Sequence, residues 1–142
     1  MSEANKAVVR RLVDEVMNGG RLDVLGRLCT PAMAAAARAW IAPFRAAFPD
    51  VHMPVVGLVA EDDKVAAWFT CSAIQHGDWQ GHPATGQRFE RVHEVYFFRV
   101  RDGRIADAWG LEDNLSRMAQ LGFGPASPAV DQPSRFRPAP AE

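Results

Sequence analysis

The sequence predicts an α+β domain: N-terminal helices packed on a strongly curved antiparallel sheet that encloses a cone-shaped cavity. Three observations predict it. The N-terminal segment carries apolar residues at helical spacing, with Val9, Leu12, Val13, Val16 and Met17 on one face. The stretch from Val51 to Gly110 is rich in valine and aromatic residues broken by short polar turns, the pattern of strands. Helices come first, about four strands follow, and a short helix closes the chain, an order that suggests helices packed on one face of an antiparallel sheet.

Taken in order, Ser2 precedes the first helix, and Asn18-Gly19-Gly20 stops it, because glycine tolerates the left-handed conformation a helix end needs. Leu22 to Cys29 fits a second, shorter helix. Met33 to Phe48 carries Trp40, Ile41, Phe44 and Phe48 on a helical stripe. Pro43 removes a donor inside it, which predicts a kink or two short helices. Val51 to Ala60 reads as the first strand, Glu61-Asp62-Asp63-Lys64 as a polar turn, and Val65 to Gln75 as the second strand. Residues 77 to 87, GDWQGHPATGQ, form a loop. Phe89 to Val100 is a long third strand, and an Arg101-Asp102-Gly103 turn makes it a hairpin with Arg104 to Gly110. A last helix after Asp113 places Leu115, Met118 and Leu121 on one stripe. The domain is expected over residues 1–124. Half of the ten prolines lie between Pro125 and Pro140, so 125–142 reads as a solvated extension.

A chain of 142 residues is the size of one domain and can bury a core without staples. A formal net charge of -1 gives no electrostatic excess to steer a nucleic acid or a membrane surface. Cys29 and Cys71 are too few for a disulfide framework and read as small apolar residues. The segment MSEANKAVVRR lacks the apolar region of a secretory signal, and no run reaches membrane-span length, so a cytoplasmic location is expected. His52, His76, His82 and His93 show no metal-ligand spacing, and no Gly-x-Gly-x-x-Gly turn follows a strand, so neither metal nor organic cofactor is expected.

The candidate catalytic group is Asp113, an acid at the seam between the last strand and the last helix, four residues past Trp109. Two roles are open to it: a proton-transferring carboxylate in the cone, or a cap on the helix N-terminus. His93 shares a strand face with Arg91, Val95, Phe97 and Arg99. The opposite face carries Glu90, Val92, Glu94, Tyr96 and Phe98, and the pattern does not say which face meets the cavity. His93 either helps stabilise an enolate or is bonded at a sheet or subunit surface. Trp79 and His82 either line the cavity mouth or, in the case of the tryptophan, cover the core edge. The long strand has large apolar residues on both faces and one cone uses only one of them, which predicts a homodimer or homotetramer.

Four stretches together resemble the SnoaL-like polyketide cyclases of the nuclear transport factor two-like superfamily. They are AAFPDVHMPVVGLVAEDDKVAAWFT (46–70), GDWQGHPATGQ (77–87) with its Pro-x-Thr-Gly element, FFRVRDGRIADAWGLEDNL (97–115) with its Trp-x-x-x-Asp element, and LSRMAQLG (115–122). With the N-terminal helices the likeness covers roughly residues 5 to 123. It implies a cystatin-like cone, an aromatic or polyketide-like substrate and cofactor-independent intramolecular aldol condensation. It places the acid/base role on Asp113, with His93 on the long strand as the candidate helper read from the residues themselves. Gln75, His76, Trp79 and Trp109 are the expected substrate contacts. At Gln75-His76-Gly77 the chain departs from the family's Gly-Thr-His-x-Gly, which leaves open an accessory hydroxylase-like tailoring reaction. A non-catalytic small-molecule carrier and a plain dimerisation module are the readings from other classes.

Overall fold

The computed structural model describes residues 2–123, and the Pro-rich segment 125–142 lies outside them. Helix α1 (Ser2–Arg11) continues as a π-helical segment (Leu12–Asn18). A 3-10 turn (Leu22–Val24) leads into α2 (Leu25–Leu28) and α3 (Pro31–Ala47). Four strands follow: β1 (Val55–Glu61), β2 (Lys64–Ile74), β3 (Arg88–Arg101) and β4 (Arg104–Glu112). Helix α4 (Asn114–Gln120) closes the fold. The sheet runs β1-β2-β3-β4, every pair antiparallel. This is the expected α+β architecture, with α1 packed on β1 and β2, α3 against β4 and α4 against β3.

The first helix departs from an ordinary α-helix at Leu12. The wider π turn lets Leu12, Val13, Val16 and Met17 all face the core. Pro43 does not divide α3: the helix is assigned without a break from Pro31, a proline at the position where a missing N–H costs nothing, to Ala47. The first strand starts at Val55, four residues later than expected. Ahead of it only His52 pairs with Ser72, and Pro54 has no N–H to extend the ladder.

Bulges curl the sheet. Between Cys71↔Val92 and Ala73↔Phe89 the long strand holds one residue more than its partner, and Arg91 there adopts φ 54°. The extra residue breaks strict alternation. Phe89, Val92, Glu94, Tyr96 and Phe98 face inward, while Glu90 is exposed, contrary to the period-two assignment that put it with Val92. The β3–β4 hairpin closes on Asp102 (φ 50°) and Gly103 (φ 78°), as the Asp-Gly pair predicts. No helix among the described residues is long and apolar enough to cross a membrane.

The core lies between the concave face of the sheet and α1, its π segment and α3. Its aromatic spine runs Trp40–Phe44–Phe48, with ring centroids 5.8 and 4.8 Å apart, and continues to Phe89 at 5.2 Å. The outer sheet face carries Val59 (70 % exposed), Leu111 (62 %), Phe97 (48 %) and Trp68 (45 %).

Candidate active site

Two sets of polar groups lie on opposite sides of the sheet. The residues singled out in the sequence fall mostly on the outer face or the rim. Asp113 is exposed and caps α4, its Oδ1 accepting from the Ser116 N–H at 3.1 Å. The expectation that its carboxylate points into the cone is corrected: β4 ends at Glu112 and the next side chain turns outward. His93 is also exposed on the outer face. Its Nδ1 accepts from the Trp68 indole N–H at 3.0 Å, and the two rings lie 5.7 Å apart. Asp113 and His93 are neighbours, because the Asp113 N–H donates to the His93 carbonyl at 3.0 Å. Trp109 is half-buried and packs on Phe97 on that same face, 5.5 Å between centroids.

Gln75 is fully buried and holds the 77–87 loop. Its Nε2 lies 3.1 to 3.3 Å from the carbonyls of Gly77, His82 and Pro83, and its Oε1 accepts from the Thr85 N–H and hydroxyl at 3.3 and 3.0 Å. His76 is exposed, and its backbone N–H is tied to the Ala47 carbonyl. Trp79 is buried edge-on against Phe48, 5.7 Å away, covering the core edge. His82 stacks on Phe123 at 4.1 Å.

The inner face of the sheet carries a charged cluster that the sequence pattern did not single out. Glu94 on β3 and Arg117 on α4 are both buried and form an ion pair. Arg117 also donates to the Asn114 side-chain oxygen and lies 3.9 Å from Glu112. Glu112 accepts at one oxygen from the Tyr96 hydroxyl (2.6 Å) and at the other from the Asn114 amide (3.3 Å). The other sides of the guanidinium face aromatic rings, with Cζ 4.9 Å from the Phe89 centroid, 5.6 Å from Phe44 and 5.8 Å from Trp79. The helix stripe reads 114, 117, 118 and 121, and Leu115 is 58 % exposed, so α4 is rotated by about one residue from its expected face. The missed signal was Glu94 itself, a carboxylate alternating with Val92, Tyr96 and Phe98 on one strand face.

Two carboxylates, Glu94 fully buried and Glu112 part-buried, face one buried guanidinium. Burial, and next the neighbouring Glu112, push the Glu94 carboxyl up to about 8 against the pull of Arg117. Burial opposes the charge on Arg117, but Glu94 and Glu112 outweigh it and hold the guanidinium above its ordinary value. Burial, followed by Glu112 and Glu94, also raises the Tyr96 phenol.

The ring of Tyr96, whose hydroxyl is bonded to Glu112, also lines an apolar interior cavity. The cavity is lined by Leu12, Val13, Met17, Trp40, Ile41, Met53, Phe69, Tyr96 and Phe98. Its volume is about 30 Å³, room for a water molecule and not for a polyketide. An aromatic ligand therefore fits this space only if the wall moves. Met17 and Met53, unbranched and adaptable, and the π-helical segment form part of that wall. A separate groove of about 230 Å³ between α3 and the loop is lined by Trp40, Phe44, Asp78 and Trp79, among others, so Trp40 stands between groove and cavity. Among the described residues, no group of three or more His, Cys, Asp or Glu side chains stands where it could hold a metal ion.

Comparison with known proteins places the chain. The family model for the SnoaL-like polyketide cyclases matches residues 7–121. No curated protein sequence matches. Among solved structures, a candidate SnoaL-like polyketide cyclase from Jannaschia sp. CCS1 is similar at 25 % identity and TM-score 0.77, over 87 % of this chain and 95 % of that one. IdmH, a candidate polyketide cyclase from Streptomyces antibioticus, is similar at 27 % identity and TM-score 0.72, over 83 % and 98 %. AclR, a candidate hydroxylase from Streptomyces galilaeus, is similar at 26 % identity and TM-score 0.78, over 92 % and 88 %. With the family model spanning the α+β core, the helices that cover it and the strand-to-helix seam at Asp113, the chain belongs to the SnoaL-like polyketide cyclase family.

Proposed function

We propose that the protein is a polyketide cyclase-like enzyme that closes a ring on an aromatic polyketide by cofactor-independent, acid/base-catalysed intramolecular aldol condensation. The observation that carries this reading is the buried carboxylate of Glu94 and the part-buried one of Glu112, facing one guanidinium behind the wall of an apolar cavity. Burying charge without a purpose costs stability, and a well-packed apolar replacement is often as stable or more so. A carboxyl raised toward neutral pH is suited to moving protons at carbons flanked by carbonyls, whose acidity the substrate itself supplies. The family membership and the likeness to IdmH support the substrate class.

The interior carboxylates take over the role that the Trp-x-x-x-Asp element gave to Asp113, and Glu112 is its immediate neighbour in sequence. The test is ring closure of a synthetic aryl 1,3,5-triketone by Glu112→Gln and Asp113→Asn. The expected result is a loss of about 10²-fold or more in Glu112→Gln and near-wild-type turnover in Asp113→Asn. The reverse pattern returns catalysis to Asp113 and the outer edge it shares with His93.

A second reading, an accessory hydroxylase-like tailoring protein, is supported by the likeness to AclR. It predicts an oxygenated product with an unchanged ring count. We also propose that the working form is a homodimer or homotetramer joined through the apolar outer face of the sheet.

A further inference from the structure

We infer that the groove between α3 and the 77–87 loop is a binding site for a hydroxylated aromatic ring, recognised by the Ala39 carbonyl on one side and the Asp78 carboxylate on the other. Pro43 breaks a local rule and leaves its mark at this groove. A proline inside a helix removes one backbone N–H and costs stability, yet α3 runs through it from Pro31 to Ala47. The acceptor that loses its donor is the carbonyl one turn back, on Ala39. Ala39 and Pro43 are both exposed, and both line the groove. The α3 side thus offers a backbone oxygen released from its helical hydrogen bond.

The loop side offers a second acceptor. Asp78 is exposed at the rim, and among the described residues nothing bonds or pairs with its carboxylate. The rim that carries it is stiff. Trp79 and His82 exchange both backbone hydrogen bonds at 2.9 Å, across a turn whose central residues Gln80 and Gly81 have φ 49° and 81°. Gln80, which also lines the groove, holds a conformation that side chains rarely adopt. Gln75 fixes the loop from inside. An acceptor on a fixed rim needs little ordering when a ligand arrives.

Rings lie between the two acceptors. Trp40, Phe44 and Trp79 line the groove, and the Arg117 guanidinium steadies two of them, with Cζ 5.6 Å from the Phe44 centroid and 5.8 Å from that of Trp79. The space of about 230 Å³ exceeds the roughly 150 Å³ that holds a benzene ring. None of the described residues that line it is basic, so nothing there pairs with a carboxylate or a phosphate. Flat apolar walls with acceptors at both edges select a neutral ring that bears O–H donors.

The natural bearer of that ring rests on the ring-closure reading above. When a chain of alternating carbonyls closes and loses water, its remaining carbonyls become the enols of an aromatic ring, with hydroxyls in 1,3 relation. On that reading the groove takes a ring already formed, while Trp40, which also lines the interior cavity, stands between it and the core.

Isothermal titration calorimetry of the full chain with 1,3-dihydroxynaphthalene reads binding apart from turnover. The diol is expected to bind about 10-fold or more tightly than naphthalene, and Asp78→Ala to lose about 10-fold for the diol and nothing for naphthalene. Pro43→Ala returns an N–H to the Ala39 carbonyl. It should melt at a higher temperature and yet bind the diol about 3-fold or more weakly. A raised melt with unchanged affinity overturns the part given to that carbonyl. Ala39→Phe, which fills the groove from an exposed helix position, should abolish binding of both probes. Equal affinity for diol and naphthalene, undiminished diol binding in Asp78→Ala or Ala39→Phe, or tighter binding of 2-naphthylmethylammonium than of the diol overturns the site. Diol binding with the expected pattern but no ring closure on the aryl triketone removes the reaction and leaves the site standing. Wild-type ring closure in Ala39→Phe overturns the groove as a substrate site and leaves the reaction intact.

Discussion

The ring of Tyr96 fills the space that a side chain on Gly110 would need. The two residues are cross-strand partners on the inner face, and a β-carbon added at Gly110 would stand 2.1 Å from Tyr96 Cδ1. The glycine is therefore what lets the phenol lie flat between the cavity and Glu112.

Gly110→Ala is expected to destabilise the fold by about 1–3 kcal/mol, the scale of overpacking in a closed core. Urea unfolding measures it. Should the phenol be expelled from its place, Tyr96→Phe will not repair the loss but Tyr96→Ala, which makes room, will recover part of it. An alanine variant as stable as the wild type would contradict this contact.

Stability should depend on pH through Glu94. Its folded carboxyl is raised from 4.5 to about 8, so between those values the folded state binds more protons than the unfolded one. The contribution is complete below about 4.5 and is lost as pH rises through about 8, on the order of a few kcal/mol. Melting temperature should fall over that window in the wild type and fall less in Glu94→Gln. The surface acids lowered by arginine or lysine partners, Glu15, Asp23 and Asp63, act with the opposite sign and at lower pH. A wild-type curve that is flat or rising from about pH 5 to about pH 8 would rule the buried acid out as its source.

The helix cap at Asp113 separates structure from chemistry. Asp113→Ala should cost about 1 kcal/mol by removing the bond to the Ser116 N–H, and Asp113→Asn should cost only a fraction of that. Equal losses from the two changes in thermal melts would show that the charge, and not the cap, matters there.

On the outer face, the register aligns Trp68, Val95 and Leu111 in one row and Val59, Ala66, Phe97 and Trp109 in the next. Monomers seldom leave contiguous apolar surface beyond a few hundred Å² uncovered. Light scattering at micromolar concentration should give at least a dimer mass, and the double change Phe97→Asp with Leu111→Asp should give a folded monomer. A monomeric wild type would set this aside.

The fold was legible in sequence because its signals are local. The helical stripe from Val9 to Met17, the Asp102-Gly103 turn and the proline-rich tail each declare themselves within a few residues. The interior cluster was not legible, for reasons also seen in particular residues. Arg91 at positive φ shifts the parity of β3, so alternation from Glu90 misassigns a face. The partner of Glu94 lies 23 residues away on a helix whose face depends on tertiary packing. Asp113 was rightly placed at the seam between the last strand and the last helix, but which way its side chain turns is settled by where β4 ends.

The five contacts of Gln75 have a consequence for how the protein can vary. Four of them reach backbone atoms of the 77–87 loop, and only the Thr85 hydroxyl is a side chain. The anchor thus reads the path of the loop and is nearly blind to its spelling. Positions such as His82 and Pro83 can change identity while the chain keeps its course, so new side chains can be presented beside Trp79 and the neighbouring groove without rebuilding the frame. A single amide buried at the end of β2 separates the loop's shape from its chemistry.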